Sequence, residues 1–464
     1  MRLAARVVTV ISVLVACGCG GQSGDRDAEQ PATQPTYSIP SPRTVVDRPL
    51  ERRTEVALAR LLPAAAGGIL DPEVLNVVAS SRDPRLGWLV SDLLRFYQGS
   101  VEERHLVGAF RRLTGVDVRR DPHFSESAWR SITDHLITWD VPAPPGYREL
   151  KSRLFVALEP GWRPFFADAD SWIDWRLLSW GGVLIDDRPL GDPDHCPRGC
   201  IPALDDPSLT GAGGGDWYPD DRIVFGVVVG DEVVAFPKNI MEVHELVNIT
   251  IGGRRVGIPY CTLCRSAQAY FLDSVPAGVR QPVLRTSGLL SRSNKVMYDL
   301  NTRSVFDTFT GRALSGPLQD AGVVLEQTTV VSSGWGAWKR AHPETKIVAE
   351  DGGIGREYEE DPLGGRDDNG PIFPVGDVDP RLPVQVEVVG VIDSEGRPVA
   401  FVADQARAAL TAGEVVTAAG VELVADAAGL RARARGGDEL AAHQAFWFAW
   451  SQFHPRTELW TRPS

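Results

Sequence analysis

The sequence predicts an α+β protein: a small N-terminal helical domain followed by a mainly antiparallel β domain with an internal degenerate repeat. Three observations lead there. Capping residues and a helical apolar period run from Glu51 to about Leu158. From Ile223 the period switches to two, and paired apolar runs flank short polar turns. The stretch Phe225-Gly226-Val227-Val228 through Val234-Ala235-Phe236 is then echoed by Val389-Gly390-Val391-Ile392 through Val399-Ala400-Phe401.

The N-terminus reads as an export and anchoring signal over residues 1–17. Arg2 and Arg6 precede a largely apolar run from Val7 to Ala16, too short to span a bilayer but suited to a signal peptide. Leu14-Val15-Ala16-Cys17 resembles the bacterial lipobox, whose cysteine is acylated and becomes the mature N-terminus. Lipidation at Cys17 would hold the protein at the outer face of the cell membrane. Residues 18–46 are rich in Gly, Ser, Gln, Pro and Asp, which makes them a disordered tether unable to bury a core.

The net charge of -13 has no basic cluster to offset it, which excludes nucleic acid as a partner because phosphate neutralisation needs Lys and Arg. A protein partner is left unspecified by the sequence.

Residues 47–160 form the helical domain. Asp71-Pro72 and Asp83-Pro84 each put a capping carboxylate before a first-turn proline. Ser100-Val101-Glu102-Glu103 reads as a capping box, and Ser125 precedes the run through Trp129, Ile132 and Leu136. Residues 161–222 hold Trp162, Trp172, Trp175 and Trp180, a tryptophan-rich joint.

The first β repeat spans 223–345 and the second, with a C-terminal helix, 381–464; an acidic insertion at 346–380 separates them and reads as solvated. Hairpin turns fall at Gly230-Asp231, Gly252-Gly253 and Asn301-Thr302-Arg303, and the later copy has Val415-Val416-Thr417 opposite Val421-Glu422-Leu423.

Laying the copies over one another from Phe236 and Phe401 places His244 on Ala409, Asn248 on Gly413, Cys261 on Asp426 and Cys264 on Gly429. The polar set is therefore not needed merely to build the hairpins. Thiolate and imidazole are soft or borderline ligands, so Cys261, Cys264 and His244 are candidate ligands for copper or zinc. Glu245, Asn248, Tyr260, Arg265, Arg292 and Asn294 are expected to line the same pocket. A Cys-x-x-Cys pair can equally cycle between dithiol and disulfide, or be a structural disulfide. Cys196-Pro197-Arg198-Gly199-Cys200 reads as a loop-closing disulfide. His342-Pro343 and His454-Pro455 read as surface turns whose histidines are further candidates to complete a metal site.

Ile201-Pro202-Ala203-Leu204-Asp205-Asp206-Pro207, His244-Glu245-Leu246-Val247-Asn248, Tyr260-Cys261-Thr262-Leu263-Cys264 and Phe446-Trp447-Phe448-Ala449-Trp450 together resemble an uncharacterised prokaryotic family, domain of unknown function 3179. The resemblance spans about Trp175 to Trp460 and implies no activity. The family pattern has Pro and Gly where this chain has Thr262 and Arg265, and a cation at Arg265 is expected to favour thiolate character in its neighbours.

The leading expectation is an extracytoplasmic metal-binding protein. A thiol-disulfide redox protein and a non-catalytic envelope interaction protein are the alternatives, and whether the chain is an enzyme is left open.

Overall fold

The computed structural model describes residues 38–193, 196–366 and 370–463. The expected signal peptide, Cys17, Cys19 and most of the expected tether lie outside them. Among the described residues no helix is long and apolar enough to cross a membrane. The chain is a mixed α+β protein of two compact units: one ends at Phe166 and regains 175–182, and the other comprises 167–174 and 183–464.

The first unit is helical, with helices Arg52–Ala66, Pro72–Ala79, Gly87–Tyr97, Glu103–Thr114, Ala128–Thr138 and Tyr147–Leu158. Asp71 caps the second as its sequence requires: its carboxylate accepts from Glu73 N at 2.9 Å and Val74 N at 3.2 Å. Asp83 caps only a 3₁₀ turn, Pro84–Leu86.

Two caps fall elsewhere than expected. Glu103 Oε2 accepts from Gly99 N rather than Ser100 N, and the helix starts after Glu102 with no side-chain cap, so the box at Ser100 does not form. Ser127, not Ser125, accepts from Arg130 N and starts the Ala128 helix, because Pro122–Ser125 is already committed to a 3₁₀ turn.

Leu61, Leu62, Leu94, Phe110 and Leu113 form part of the unit's buried core. Lys151 is also buried there, its Nζ 2.8 Å from Asp92 Oδ1, while Tyr147 donates to Asp92 Oδ2. Of the joint tryptophans, Trp162 and Trp180 are buried in this unit and Trp175 stacks on Phe166 at 4.5 Å. Trp172, in the other unit, is exposed.

The hairpins of the second unit form as the turn residues dictate. Val229 faces Glu232 across Gly230-Asp231, and Ile251 faces Arg254 across Gly252-Gly253, both of whose glycines have positive φ. The third pairs Asn294–Asp299 with Val305–Asp307.

The two-copy organisation does not describe the unit. Its strands fall into five separate small sheets, the sheet count of a five-bladed propeller rather than of two repeats. The Leu246–Ile251 hairpin joins a sheet with a parallel neighbour, Leu204–Asp205, whereas its supposed counterpart, Val416–Ala418 with Val421–Asp426, belongs to an antiparallel meander. A superposition carried past the first hairpin therefore has no structural basis.

The likeness that survives is confined to two sheets. One runs Val330–Gly334, Ile223–Val229, Glu232–Pro237, Lys346–Val348, Leu209–Gly211; the other runs Ala442–Phe446, Glu387–Ile392, Pro398–Val402, Glu458–Trp460. In each, the fourth strand is parallel to the third, and the first sheet carries Leu209–Gly211 beyond it as an antiparallel fifth strand. In each, a tryptophan ring lies flush on a strand glycine: a Cβ on Gly226 would fall 2.2 Å from Trp338, and one on Gly390 would fall 2.1 Å from Trp450. The indole nitrogens donate to Thr345 and Thr457 at 3.0 and 2.9 Å. His342 and His454 sit 4.2 Å from the same rings. The sequence carries this as Trp-x₂-Trp-x₃-His-Pro-x-Thr, from Trp335 and from Trp447, a signal that comparison of the hairpins alone passes over.

Candidate functional site

The residues expected to share one pocket separate into three places. Cys261 ends the strand Arg254–Cys261, and Thr262–Cys264 turns in a 3₁₀ helix that closes on Arg265 at φ +49°. That turn brings the two thiols face to face, with the sulfurs 2.7 Å apart and both residues buried. The loop from Ser291 covers them: Cys264 Sγ lies 3.3 Å from both Ser293 O and Asn294 Oδ1. Arg292 and Ser293 take positive φ, which is the turn role of that loop, and Arg292 Nη1 donates to Gln452 O. Phe309, Trp447 and Trp450 pack in the same core cluster as the cysteines.

Electrostatics keep the Cys264 thiol protonated. Burial first, then the contact with Cys261, pushes the Cys264 thiol well above the usual thiol range. Arg265 does not supply the cation expected of it, because its Nε pairs with Glu387 Oε1 at 2.8 Å. The nearby charge is instead Lys295, which sequence reading passed over. Its Nζ sits 3.2 Å from Glu245 Oε2 and donates to the Glu245 carbonyl. Burial lowers the Lys295 pKa, and Glu245 opposes the shift. Glu245 also accepts from Thr262 Oγ1, so it braces the cysteine turn. Tyr260 is buried, its ring 4.8 Å from Phe225 and its backbone N–H on Glu245 O.

His244 is elsewhere. It ends the helix Lys238–His244, with Nδ1 2.7 Å from Pro202 O and Nε2 2.6 Å from the Tyr358 hydroxyl. A carbonyl only accepts, so the proton is on Nδ1 and the neutral ring accepts from Tyr358. Burial raises the Tyr358 hydroxyl to about 12, which keeps it a donor. With both ring nitrogens so engaged, His244 does not converge with Cys261 and Cys264 as a metal ligand. Tyr358 lies in the acidic stretch expected to be a solvated insertion; Glu357, Glu359, Glu360 and Asp361 are exposed, while Tyr358 reaches His244 and the Glu359 carbonyl accepts from Asn239 Nδ2.

Asn248 forms a third place. Its Nδ2 donates to Asp205 Oδ1 and Leu284 O, and its Oδ1 accepts from Leu284 N, so it ties strands together. Arg285, fully buried, forms a bidentate pair with Asp205 at 2.9 and 2.6 Å. Beside it, Arg188 forks onto Asp186 at 2.7 and 2.9 Å. Of these charges only Asp205 lies in a motif the sequence singled out, Ile201–Pro207, and nothing in that motif points to Arg285, 80 residues away.

Cys196 and Cys200 form the expected disulfide. Among the described residues, Asp186, Cys196 and Cys200 are the group of three whose ligand atoms lie close enough to hold a metal ion. Disulfide sulfurs are not thiolates, and Asp186 is already neutralised by Arg188, so the group fits an ion only when the pair is reduced. His342 pairs with Asp426 at 2.7 Å and His454 packs on Trp450; neither adds a ligand to the cysteines.

No curated protein and no solved structure matches the chain. The family described as protein of unknown function (DUF3179) matches residues 198–436, more than half of the 464. The match takes in His244, Tyr358 and the Cys261/Cys264 turn, and stops short of the helical unit and of Trp450. The chain belongs to this DUF3179 family.

Proposed function

We propose that the protein is an extracytoplasmic thiol-disulfide redox protein, tethered through Cys17, with Cys261 and Cys264 as its redox pair. The observation that carries this reading is the 2.7 Å separation of two buried sulfurs that, among the described residues, belong to no group of three His, Cys, Asp or Glu close enough to hold a metal ion. A short-loop dithiol of this kind reacts with a partner disulfide. The Cys261–Cys264 bond forms, the partner's S–S bond breaks, and two electrons and two protons pass to the partner. Because burial holds Cys264 as a thiol, exchange requires the Thr262–Cys264 turn to open.

The reading is tested by equilibrating the protein, cut to begin near Val46, in glutathione buffers and counting thiols in denaturant. One two-electron couple that vanishes in Cys264→Ser, with Cys196–Cys200 oxidised throughout, supports it. Thiols that stay reduced across the whole range reject it.

A copper or zinc site keeps one supporting observation, the proximity of Asp186, Cys196 and Cys200. Metal retained by the reduced protein and lost in Cys200→Ser would favour it; retention that depends on His244 would restore the ligand set expected from the sequence.

A further inference from the structure

We propose that the cavity beside Tyr358 is a binding site for a neutral polyhydroxylated molecule, a mono- or disaccharide. The cavity holds about 870 Å³, within the ordinary range for small-molecule sites. It does not involve the cysteine turn and stands independently of the redox reading.

Three buried polar atoms on its lining residues have no hydrogen-bond partner among the described residues: Asn239 Oδ1, Trp217 Nε1 and Arg356 Nη1. Leaving such atoms unpaired costs on the order of 1–3 kcal/mol each, so a guest that pairs with them is favoured over one that does not. Asn239 is only 5% exposed, and its orientation is fixed from the other side: the amide must donate to Glu359 O, which leaves the oxygen turned elsewhere.

The set of unpaired atoms selects the guest. Trp217 and Arg356 offer donors and require acceptors; Asn239 offers an acceptor and requires a donor. An ammonium cannot serve the first two, and a simple anion cannot serve the third. Hydroxyl groups serve all three, since each donates and accepts.

The walls agree with this choice. Trp217 and Tyr218 present rings 5.3 Å apart, and Tyr358 supplies a third. Such rings take the C–H face of a sugar, while the polar groups between them take its hydroxyls. Four carboxylates, Glu350, Asp351, Glu357 and Glu360, outnumber the guanidinium groups of Arg222 and Arg356, which disfavours an anionic guest. Arg222 is held by Glu360 at 2.8 Å, so the charges on that side are already balanced.

The test is calorimetric titration of the protein with glucose, N-acetylglucosamine and trehalose, against glucosamine, galacturonate and glycine as cationic, anionic and zwitterionic probes. A neutral sugar should bind with a dissociation constant in the millimolar range or tighter. Asn239→Ala and Arg356→Met should each weaken it by about tenfold, one hydrogen bond's worth, with unchanged melting temperature for the half-buried Arg356 variant. Binding of no neutral sugar overturns the proposal, as does tighter binding of a charged probe. Sugar binding that Arg356→Met leaves undiminished also overturns it.

Discussion

His244 accepts a hydrogen bond from the hydroxyl of Tyr358, 114 residues further along the chain, at 2.6 Å. The contact pins the acidic stretch of the chain to the end of the Lys238–His244 helix, and it explains why this histidine is absent from the cysteine site.

Removing the Tyr358 hydroxyl takes away the hydrogen bond that Nε2 of the buried His244 accepts. Tyr358→Phe is expected to destabilise the protein by about 1–3 kcal/mol. In a double-mutant cycle with His244→Ala the pair should show a coupling of roughly 0.5–3 kcal/mol by denaturant unfolding, and additivity would show that the contact contributes nothing.

The glycines beneath Trp338 and Trp450 have no room for a methyl group. Gly226→Ala and Gly390→Ala should each cost about 1–3 kcal/mol through overpacking, measured as a fall in unfolding midpoint. Since both sites share one geometry, the two losses should be similar; a tolerated substitution at either would show that its tryptophan can shift aside.

His443 is buried between Gln268 and Gln327, with His454 near enough to repel it when charged, and burial lowers its pKa from 6.5 to about 3. His454 is lowered to about 4 for the same reason. The folded state thus favours the neutral rings. Their contribution is complete above the unfolded value of 6.5 and is lost as pH falls from there toward 4 and 3. Stability should decline across that window by up to about 1.4 kcal/mol per pH unit for each linked proton. His443→Gln should flatten the decline, as read from urea midpoints across the window.

Lys151 and Asp92 form a buried pair in the helical unit, and burial already pushes the Asp92 carboxyl upward against the pull of Lys151. Lys151→Met would strand the carboxylate. The expected loss is on the order of 3–5 kcal/mol near neutral pH, partly recovered in Lys151→Met/Asp92→Leu if shape rather than charge is what the core needs. Thermal unfolding of the two variants separates these terms.

The sequence by itself determined the local decisions. Hairpin turns at Gly230-Asp231 and Gly252-Gly253 formed where glycine permits the required backbone, and Asp71 capped its helix because cap and acceptor lie within one turn. The cysteines of Cys-x-x-Cys met because a single 3₁₀ turn spans them. Such interactions close over a few residues, so spacing alone fixes them. Tertiary structure alone decided which distant groups meet. It put Tyr358 on His244, Glu387 on Arg265, and Asp205 on Arg285. It also spread the strands over five sheets where two copies were expected. In each case the partner is chosen by the requirement that a buried polar group be paired and an apolar face covered, and that requirement is met across the whole fold rather than within a segment.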